Sequence, residues 1–230
     1  MTYIAQDTVF EQEQQALMLS LMVASGKMPD TFVDIGAHVG HWSTHIGQNF
    51  QRVIAIEASP ENWPALAQNI KDKKARNVTV KRAAALDKKG VVSVKKHFSR
   101  SKDPYFKGMR CYVNMNKGEF QVPANTVDAM IKDANVALIK MDIEGFEPVA
   151  WRGMLGVVRR CHPVMIMELE DRWIGRARRY LHEYMDVASF RKQVCAEGYE
   201  AFIHPDKPND TIFLPREMAG AAKMHKLTKA

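Results

Sequence analysis

Short apolar segments alternate with amphipathic segments over most of the chain. Runs rich in Val, Ile and Phe predict buried strands, and apolar residues at helical spacing, such as Trp63, Leu66 and Ile70, predict helices. Strands that alternate with helices form mostly parallel sheets, so we predict an α/β, Rossmann-like fold with helices on both faces of one sheet. The predicted strands are 31–35, 52–56, 77–81, 136–141, 164–167, 200–204 and 210–214, and the predicted helices are 9–25, 41–49, 59–76, 126–133, 146–160 and 186–197.

The domain organisation follows from where this alternation begins and ends. Residues 91–97 and 110–122 are predicted to pair around the polar loop 98–109, forming a β-hairpin insertion. We predict one domain over residues 31–215, preceded by an N-terminal helical extension at 1–30. Residues 216–230 contain few apolar positions and are predicted to form a frayed, basic C-terminal tail.

Composition narrows the class of protein. Of the 230 residues, 46% are apolar and 26% are charged, which is typical of a globular protein with a full core. The net charge of +7 admits an anionic partner, but a solvated, lysine-rich surface is the favoured explanation. The three cysteines form no Cys-x-x-Cys pair, which argues against structural zinc and disulfides and predicts a cytoplasmic protein. The apolar segment 16–24 is too short to span a membrane, so no membrane insertion is expected.

The most informative stretch is residues 31–40, Thr-Phe-Val-Asp-Ile-Gly-Ala-His-Val-Gly. It predicts a buried strand, a turn containing Gly36 and Gly40, and a helix that starts near His41. This order brings backbone N–H groups and the positive end of a helix to one point, where a carboxylate, phosphate or ribose can bind. Asp34 adds a hydrogen-bond acceptor beside these donors, so a nucleotide-like ligand is expected at this turn.

Acidic residues fall at the carboxyl ends of four predicted strands, as Asp34, Glu57, Asp142 and Glu168. These strand ends line one crevice of an open α/β sheet, where ligands bind. Glu57 follows Gly36 by about 20 positions, the spacing at which an acid accepts hydrogen bonds from a ribose.

The phosphate-binding motifs of common nucleotides are missing from the sequence. The dinucleotide fingerprint requires glycine where His38 and His41 stand, and no Gly-Lys-Ser/Thr segment occurs. NAD and ATP are therefore disfavoured, which leaves a nucleoside without a pyrophosphate.

Two segments carry a resemblance to a known family. Residues 33–40, Val-Asp-Ile-Gly-Ala-His-Val-Gly, resemble motif I of class I S-adenosylmethionine-dependent methyltransferases. Residues 139–147, Ile-Lys-Met-Asp-Ile-Glu-Gly-Phe-Glu, narrow the resemblance to the FkbM-like family. It extends in the family's order over about residues 10–215, and the other matching pieces are 57–60, Ala84 with 87–90, 126–128, 163–168 and 209–215.

The resemblance implies a seven-stranded sheet in which strand 210–214 is inserted antiparallel beside strand 200–204. It also implies a seat for S-adenosylmethionine, and its departure from the family lies at His38, where asparagine is usual. Histidine can still donate a hydrogen bond there. In the implied seat, Asp34, Gly36 and Gly40 hold the methionine part, amides near Ser43 its carboxylate, Glu57 the ribose, Ala84 the adenine, and Asp142 the methionine amine or the nucleophile. His38 and Ala58 are also expected among the cofactor-binding residues.

The predicted reaction is O-methylation of a hydroxyl on a glycan or small metabolite. Alignment of the acceptor with the methyl carbon supplies most of the catalysis, and a base that takes the hydroxyl proton adds to it. Asp142 and Glu168 are the candidate bases, Lys140 is expected to orient them, and Glu144 lies beside them. A divalent cation at Asp142, Glu144 and Glu168 is the alternative, but a structural hydrogen bond from Glu144 is the simpler interpretation, so no metal is predicted.

Other interpretations remain open at this point. Basic stretches at 71–76, 88–96 and 176–179 allow a nucleic-acid or nucleotide 2′-O-methyltransferase. A non-catalytic module that binds S-adenosylmethionine, or a dehydrogenase, would also fit the turn. The cleft mouth is predicted to be covered by Arg172, Trp173 and the arginines that follow them, or by the loop 99–109.

Overall fold

The computed structural model describes residues 9–24, 26–97, 110–114 and 118–230, so the predicted covering loop 99–109 lies outside the described residues. Two 3-10 turns, Ile46–Asn49 and Arg216–Met218, supplement the helices and strands. Helices α1 to α9 are Val9–Ala24, His41–Thr44, Trp63–Asp72, Val127–Ile131, Glu147–Arg152, Leu155–Cys161, Asp171–Leu181, Val187–Ala196 and Ala219–Met224. Strands β1 to β12 are Thr31–Ile35, Arg52–Ile56, Val78–Lys81, Ala84–Ala85, Gly90–His97, Arg110–Asn114, Phe120–Asn125, Val136–Met141, Val164–Glu168, Tyr199–His204, Lys207–Pro215 and Thr228–Lys229. None of these described helices is long and apolar enough to cross a membrane.

The larger sheet has the strand order β12-β10-β11-β9-β8-β1-β2-β3. Strands β9, β8, β1, β2 and β3 are parallel to one another, whereas β11 runs antiparallel to both β9 and β10. Apart from the two-residue β12, this is the seven-stranded sheet that the sequence predicted, with its inserted antiparallel strand. The α/β fold class is confirmed.

Successive residues of each strand point into different layers, because side chains alternate across a sheet. Phe32 and Leu138 pack with α1, α2 and α9, whereas Val33 and Ile139 pack with α4 to α8. Burial on both faces explains why the strands are continuous apolar runs. By the same alternation, Asp34 and Lys140 lie on the α1 side of the sheet.

A smaller sheet with the order β4-β7-β5-β6 packs beside the carboxyl edge of the larger one. The predicted hairpin is confirmed by the antiparallel pairing of β5 with β6, but the prediction of a single strand over 110–122 was wrong. That segment supplies β6 and the start of β7, which flank β5 on opposite sides. Gly118 lies so close to the Val94 backbone that a Cβ would come within 2.4 Å of the carbonyl oxygen, which suits a bend between the strands.

Two predicted helices are each divided in the structure. The helix predicted over 41–49 becomes α2 and a 3-10 turn, with the change at His45. The helix predicted over 146–160 becomes α5 and α6, because Gly153 packs against the Leu86 carbonyl, where a Cβ would lie 2.0 Å from the oxygen. Helix α7 had not been predicted at all.

The C-terminal segment, predicted to fray, is folded. It forms a 3-10 turn, α9 and β12, and β12 pairs with β10. Ala221 and Ala222 are buried against the sheet. Small alanine side chains give a weak hydrophobic signal in sequence but allow a helix to pack closely, which explains the error.

Candidate active site

A cleft opens at the carboxyl edge of the larger sheet and is bounded on one side by the smaller sheet. Most of the residues predicted to form the site line this cleft. Gly40 and Ser43 are the exceptions, since both lie behind its surface. The predicted residues in its lining are Asp34, Gly36, His38, Glu57, Ala58, Ala84, Lys140, Asp142, Glu144 and Glu168.

The two glycines of the turn after β1 are required by packing inside the protein. Gly36 has φ +80°, and a Cβ there would lie 1.9 Å from the carbonyl oxygen of Asp142. Gly40 has φ +87°, and a Cβ there would lie 2.5 Å from Leu66 Cδ1 of α3. The first contact joins the turn to the loop after β8, so the two halves of the cleft are held in direct backbone contact.

His38 adopts the left-handed conformation, with φ +53°. Asparagine and histidine are both enriched in this region of backbone space, which gives a physical reason why histidine can replace the usual asparagine. In this conformation the His38 N–H donates to Glu57 Oε2 at 2.8 Å. The role of the position is therefore carried at least in part by its backbone.

Glu57 is almost fully buried at the end of β2. Besides the bond from His38, its Oε1 accepts from the Ser59 N–H at 2.7 Å and from Asn62 Nδ2 at 3.1 Å. The helix predicted to begin at residue 59 begins at Trp63, with Asn62 as its N-cap, which leaves the Ser59 amide to donate to Glu57. Burial raises the pKa of Glu57 while these bonds oppose the shift, so the carboxylate is held in one orientation.

Asp34 is completely buried within β1. Its Oδ2 accepts from Ser43 Oγ at 2.6 Å, and Lys140 Nζ lies 3.9 Å from its Oδ1. That Oδ1 has no hydrogen-bond donor among the described residues, and burial raises the pKa of the group. A buried acceptor that faces a cleft and lacks a donor is suited to a ligand that carries N–H groups.

Lys140 links the two acidic strand ends on either side of it. Its Nζ donates to the Gly36 carbonyl at 3.0 Å and lies 3.7 Å from Asp142 Oδ2. The ammonium therefore stands between Asp34 and Asp142, where it reduces the repulsion between the two carboxylates.

Three carboxylates form a row across neighbouring strands, Asp142 after β8, Glu168 at the end of β9 and Asp210 in β11. Glu168 and Asp210 are direct cross-strand partners. The nearby charge of Asp142, burial and the charge of Asp210 together raise the pKa of Glu168 well above its usual range. Burial raises the pKa of Asp210 to about 6. Like charges so close together are destabilising, which favours the protonated form of Glu168.

The loop that follows Asp142 is fixed by Glu147 and Arg176. Glu147 Oε1 accepts from the N–H groups of Ile143 at 2.9 Å and Gly145 at 3.2 Å. Arg176 of α7 donates to the Glu144 carbonyl and lies 3.7 Å from its carboxylate. Glu144 has φ +58°, and its contacts with Arg176 help to hold the loop in this conformation.

The arginine-rich segment predicted to cover the cleft mouth is helix α7. The Arg176 guanidinium stacks between Tyr112, at 3.9 Å, and Trp173, at 4.3 Å from the ring centroids. Arg172 points outward and stays largely exposed. Arg176 therefore stabilises the wall of the cleft, because its planar guanidinium contacts one carboxylate and two aromatic rings.

Sequence reasoning missed Gln14, Lys207, Asp210 and Tyr112, which also line the cleft. Asp210 could have been found, because an antiparallel strand inserted among parallel ones begins at the edge where they end. No local signal marks Gln14, which lies in the predicted N-terminal extension. No group of three His, Cys, Asp or Glu side chains in the described part of the chain is placed to hold a metal ion.

Comparisons with known proteins place this cleft in a family. The methyltransferase FkbM domain matches residues 34–200, which is most of the chain. The chain belongs to the FkbM methyltransferase family. This confirms the family that the sequence predicted, and with it S-adenosylmethionine as the cofactor.

Solved structures agree with the fold. Methyltransferase FkbM from Methylobacillus flagellatus KT is 20% identical over 80% of this chain, with a TM-score of 0.50, and the match covers 42% of that protein. The chain therefore spans less than half the length of that relative. Cofactor-bound Rv0187 from MTB is 15% identical over 93% of this chain and 83% of its own, with a TM-score of 0.51. No curated protein matches the chain in sequence.

The FkbM match ends short of two parts of the cleft. Gln14 precedes residues 34–200, and Lys207 and Asp210 follow them. These three residues are contributed by α1 and β11, at the end of the cleft farthest from Glu57. The family match thus covers one end of the cleft, and segments outside it build the other.

Proposed function

We propose that this protein transfers a methyl group from S-adenosylmethionine to a hydroxyl of a glycan or small metabolite. The observation that carries the proposal is the position of Asp142, whose backbone touches the glycine turn while its carboxylate lines the cleft next to Lys140. A carboxylate there stands beside both the cofactor turn and the acceptor.

The cofactor seat is assigned to the β1–β2 end of the cleft. Asp34 would accept from the methionine amine through its Oδ1, which has no donor among the described residues. Glu57 has acceptor capacity left for the ribose hydroxyls, because three donors occupy only part of the four lone-pair positions of a carboxylate. Ala58 and Ala84 line the cleft as small residues against the adenine.

The remaining predicted seat residues act at different distances from the ligand. Gly36 and His38 shape the turn on the cleft surface. Gly40 and Ser43 act from behind it, the first by allowing α3 to pack and the second by orienting Asp34.

Asp142 is assigned as the base. Bound cofactor supplies a methyl carbon already activated by a sulfonium, so the chain mainly has to align the acceptor and remove one proton. When bound, the cofactor would supply this methyl carbon to the acceptor oxygen, and Asp142 would take the proton that the hydroxyl loses. Lys140 orients Asp142, and Glu168 keeps its own proton and donates a hydrogen bond. Glu144 has a supporting role in the loop.

The test combines an acceptor screen with matched variants. Tritiated S-adenosylmethionine is offered with glycan, small-molecule and RNA fractions, and label in the glycan or small-molecule fraction is expected. Asp142→Asn should lower turnover by about 10²–10⁴-fold, because the proton acceptor is lost. Glu168→Gln should keep most activity, since glutamine resembles the protonated acid. Exposed Asp133→Asn is the control for the same substitution.

The outcomes separate the parts of the proposal. Full turnover in Asp142→Asn would remove Asp142 as the base. Label found in RNA, with binding that weakens steeply as salt rises, would replace the acceptor class by nucleic acid. Cofactor binding measured by calorimetry without transfer to any fraction would point to a binding module.

A further inference from the structure

Helix α1 inserts one polar side chain, Gln14, into the cleft. Only 2% of Gln14 is exposed, although glutamine is usually found at the surface. Met18 and Leu21 of the same helix are fully buried against the sheet and fix the position of the helix. A buried amide must satisfy its donors and acceptor within the protein, so its partners indicate what it does there.

Both ends of the Gln14 amide are used. Its Nε2 donates to Asp210 Oδ2, and its Oε1 accepts from Lys207 Nζ at 2.9 Å. The two partners belong to β11, which β-pairing holds beside Glu168. The chain Lys207–Gln14–Asp210 therefore fixes the direction in which the Asp210 carboxylate faces.

This arrangement lies on the acceptor side of the proposed site. Across the sheet, Glu57 follows β2, Asp142 follows β8, and Asp210 lies two strands farther in β11. Glu168 stands between Asp142 and Asp210 as the direct cross-strand partner of Asp210. The neighbouring carboxylates and burial raise the pKa of Glu168 and favour its protonated form, which can donate a hydrogen bond, whereas the Asp210 carboxylate can accept one. A donor and an acceptor next to the base suit an acceptor molecule that carries a second hydroxyl beside the reacting one.

We propose that Asp210 binds the acceptor through a hydroxyl adjacent to the one that is methylated, and that Gln14 and Lys207 are positioning residues for Asp210. The inference rests on the proposed function and narrows its acceptor to molecules with neighbouring hydroxyls. It gives the N-terminal helix, which lies outside the family match, a part in acceptor selection.

The first experiment replaces Gln14 by methionine, which keeps its length and removes its hydrogen bonds. The probe is one standard preparation of the fraction that accepts tritium in the screen described above. Gln14→Met should raise the half-saturating amount of this preparation at least about tenfold and change turnover at saturation by less than about threefold. The dissociation constant of S-adenosylmethionine should stay within about twofold. Gln12→Met, exposed on the same helix, is the control.

A glutamate variant adds a pH signature that a purely structural role would not give. In Gln14→Glu, residue 14 can donate to Asp210 only when protonated, and two ionised carboxylates repel each other. Activity relative to the original protein should therefore rise as pH falls. The ionisable groups that act on Asp210 from the surrounding strands are Glu168, Lys207, Asp142 and Lys140.

A third measurement needs no acceptor. Titration of ¹³C-labelled aspartate carboxyl groups, with Asp210→Asn to assign the signal, follows Asp210 directly. Its pKa should be higher in Gln14→Met, because the amide hydrogen bond lowers it in the native protein. An unchanged pKa of Asp210 would overturn the positioning role.

The results distinguish this inference from the proposed function. If the native protein transfers label and Gln14→Met keeps the same half-saturating amount, only the role of Gln14 falls. If the native protein transfers label to no fraction, the proposed function falls and this role falls with it. Equal effects of Gln14→Met and Gln12→Met on transfer would also overturn the inference.

Discussion

Glu147 holds the loop that carries Asp142, and it does so at an electrostatic cost. The side chain is 2% exposed, and its Oε1 accepts two backbone N–H groups of the loop. Burial nevertheless raises its pKa to about 7, because desolvation of the charged form outweighs these bonds. The folded protein thus binds a proton at Glu147 that the unfolded chain releases near pH 4.5.

Glu147→Gln should therefore change how stability depends on pH. A raised folded-state pKa gives stability that is full below about 4.5 and is lost as pH rises through about 7. Glutamine keeps the acceptor oxygen and has no charge to desolvate. The stability of the variant relative to the native protein should therefore rise by about 1–3 kcal/mol from pH 5 to pH 8. Urea denaturation of both proteins at the two pH values measures this difference. If the difference in free energy of unfolding between the two proteins does not vary with pH, the raised pKa assigned to Glu147 is wrong.

Whether a site residue can be predicted from the sequence depends on which feature of the fold brings its side chain to the cleft. Glu57, Asp142 and Glu168 were predictable because parallel strands bring their carboxyl ends to one edge. Asp210 needed the added step that an antiparallel strand starts at that edge. The position of Gln14 in the cleft depends on how α1 packs on the sheet. The hydrophobic pattern of a helix does not specify which of its turns faces the cleft.

At the scale of elements, Gly40 decides whether α2 and α3 can pack together. Its left-handed backbone and its contact with Leu66 both oppose a side chain. Gly40→Ala should cost about 1–3 kcal/mol, since the left-handed conformation alone costs about 1–2 kcal/mol for other residues. Thermal unfolding should show a lower Tm, with weaker binding of S-adenosylmethionine measured by calorimetry because the turn at Gly36–Gly40 is displaced.

Gly175 supplies the matched control for that substitution. It lies inside α7, and nothing stands within 4 Å of an added Cβ. Gly175→Ala should stabilise the protein by roughly 0.5–1 kcal/mol, as alanine does within a helix. If both alanine variants shift Tm in the same direction, the assigned role of Gly40 is wrong.

The elements that sequence reasoning predicted well are those whose signal is local. The buried strands are apolar runs, and their existence and order were confirmed. The break at Gly153 arises from its contact with the distant backbone of Leu86, which no periodicity shows. Helix α7 escaped prediction because its few apolar residues are interrupted by Gly175 and four arginines.

At the scale of the whole molecule, the last segment of the chain supports the first. Helix α9 packs in the same apolar layer as α1, and Ser20 of α1 lies 3.1 Å from the His225 ring. Helix α1 in turn carries Gln14 into the cleft. The packing of the C-terminal segment is thus connected to the acceptor end of the site.

Ala222→Glu tests whether this segment is folded onto the sheet or frays. Ala222 is 2% exposed among apolar side chains, so a carboxylate there would be buried without a partner and should cost about 2–5 kcal/mol. Lys223→Glu introduces the same residue one position later, where the side chain is exposed, and should change stability by less than about 0.5 kcal/mol. Urea denaturation measures both. A frayed segment would give two equally small effects, whereas a packed one makes Ala222→Glu far more damaging and lowers the affinity for the acceptor through α1.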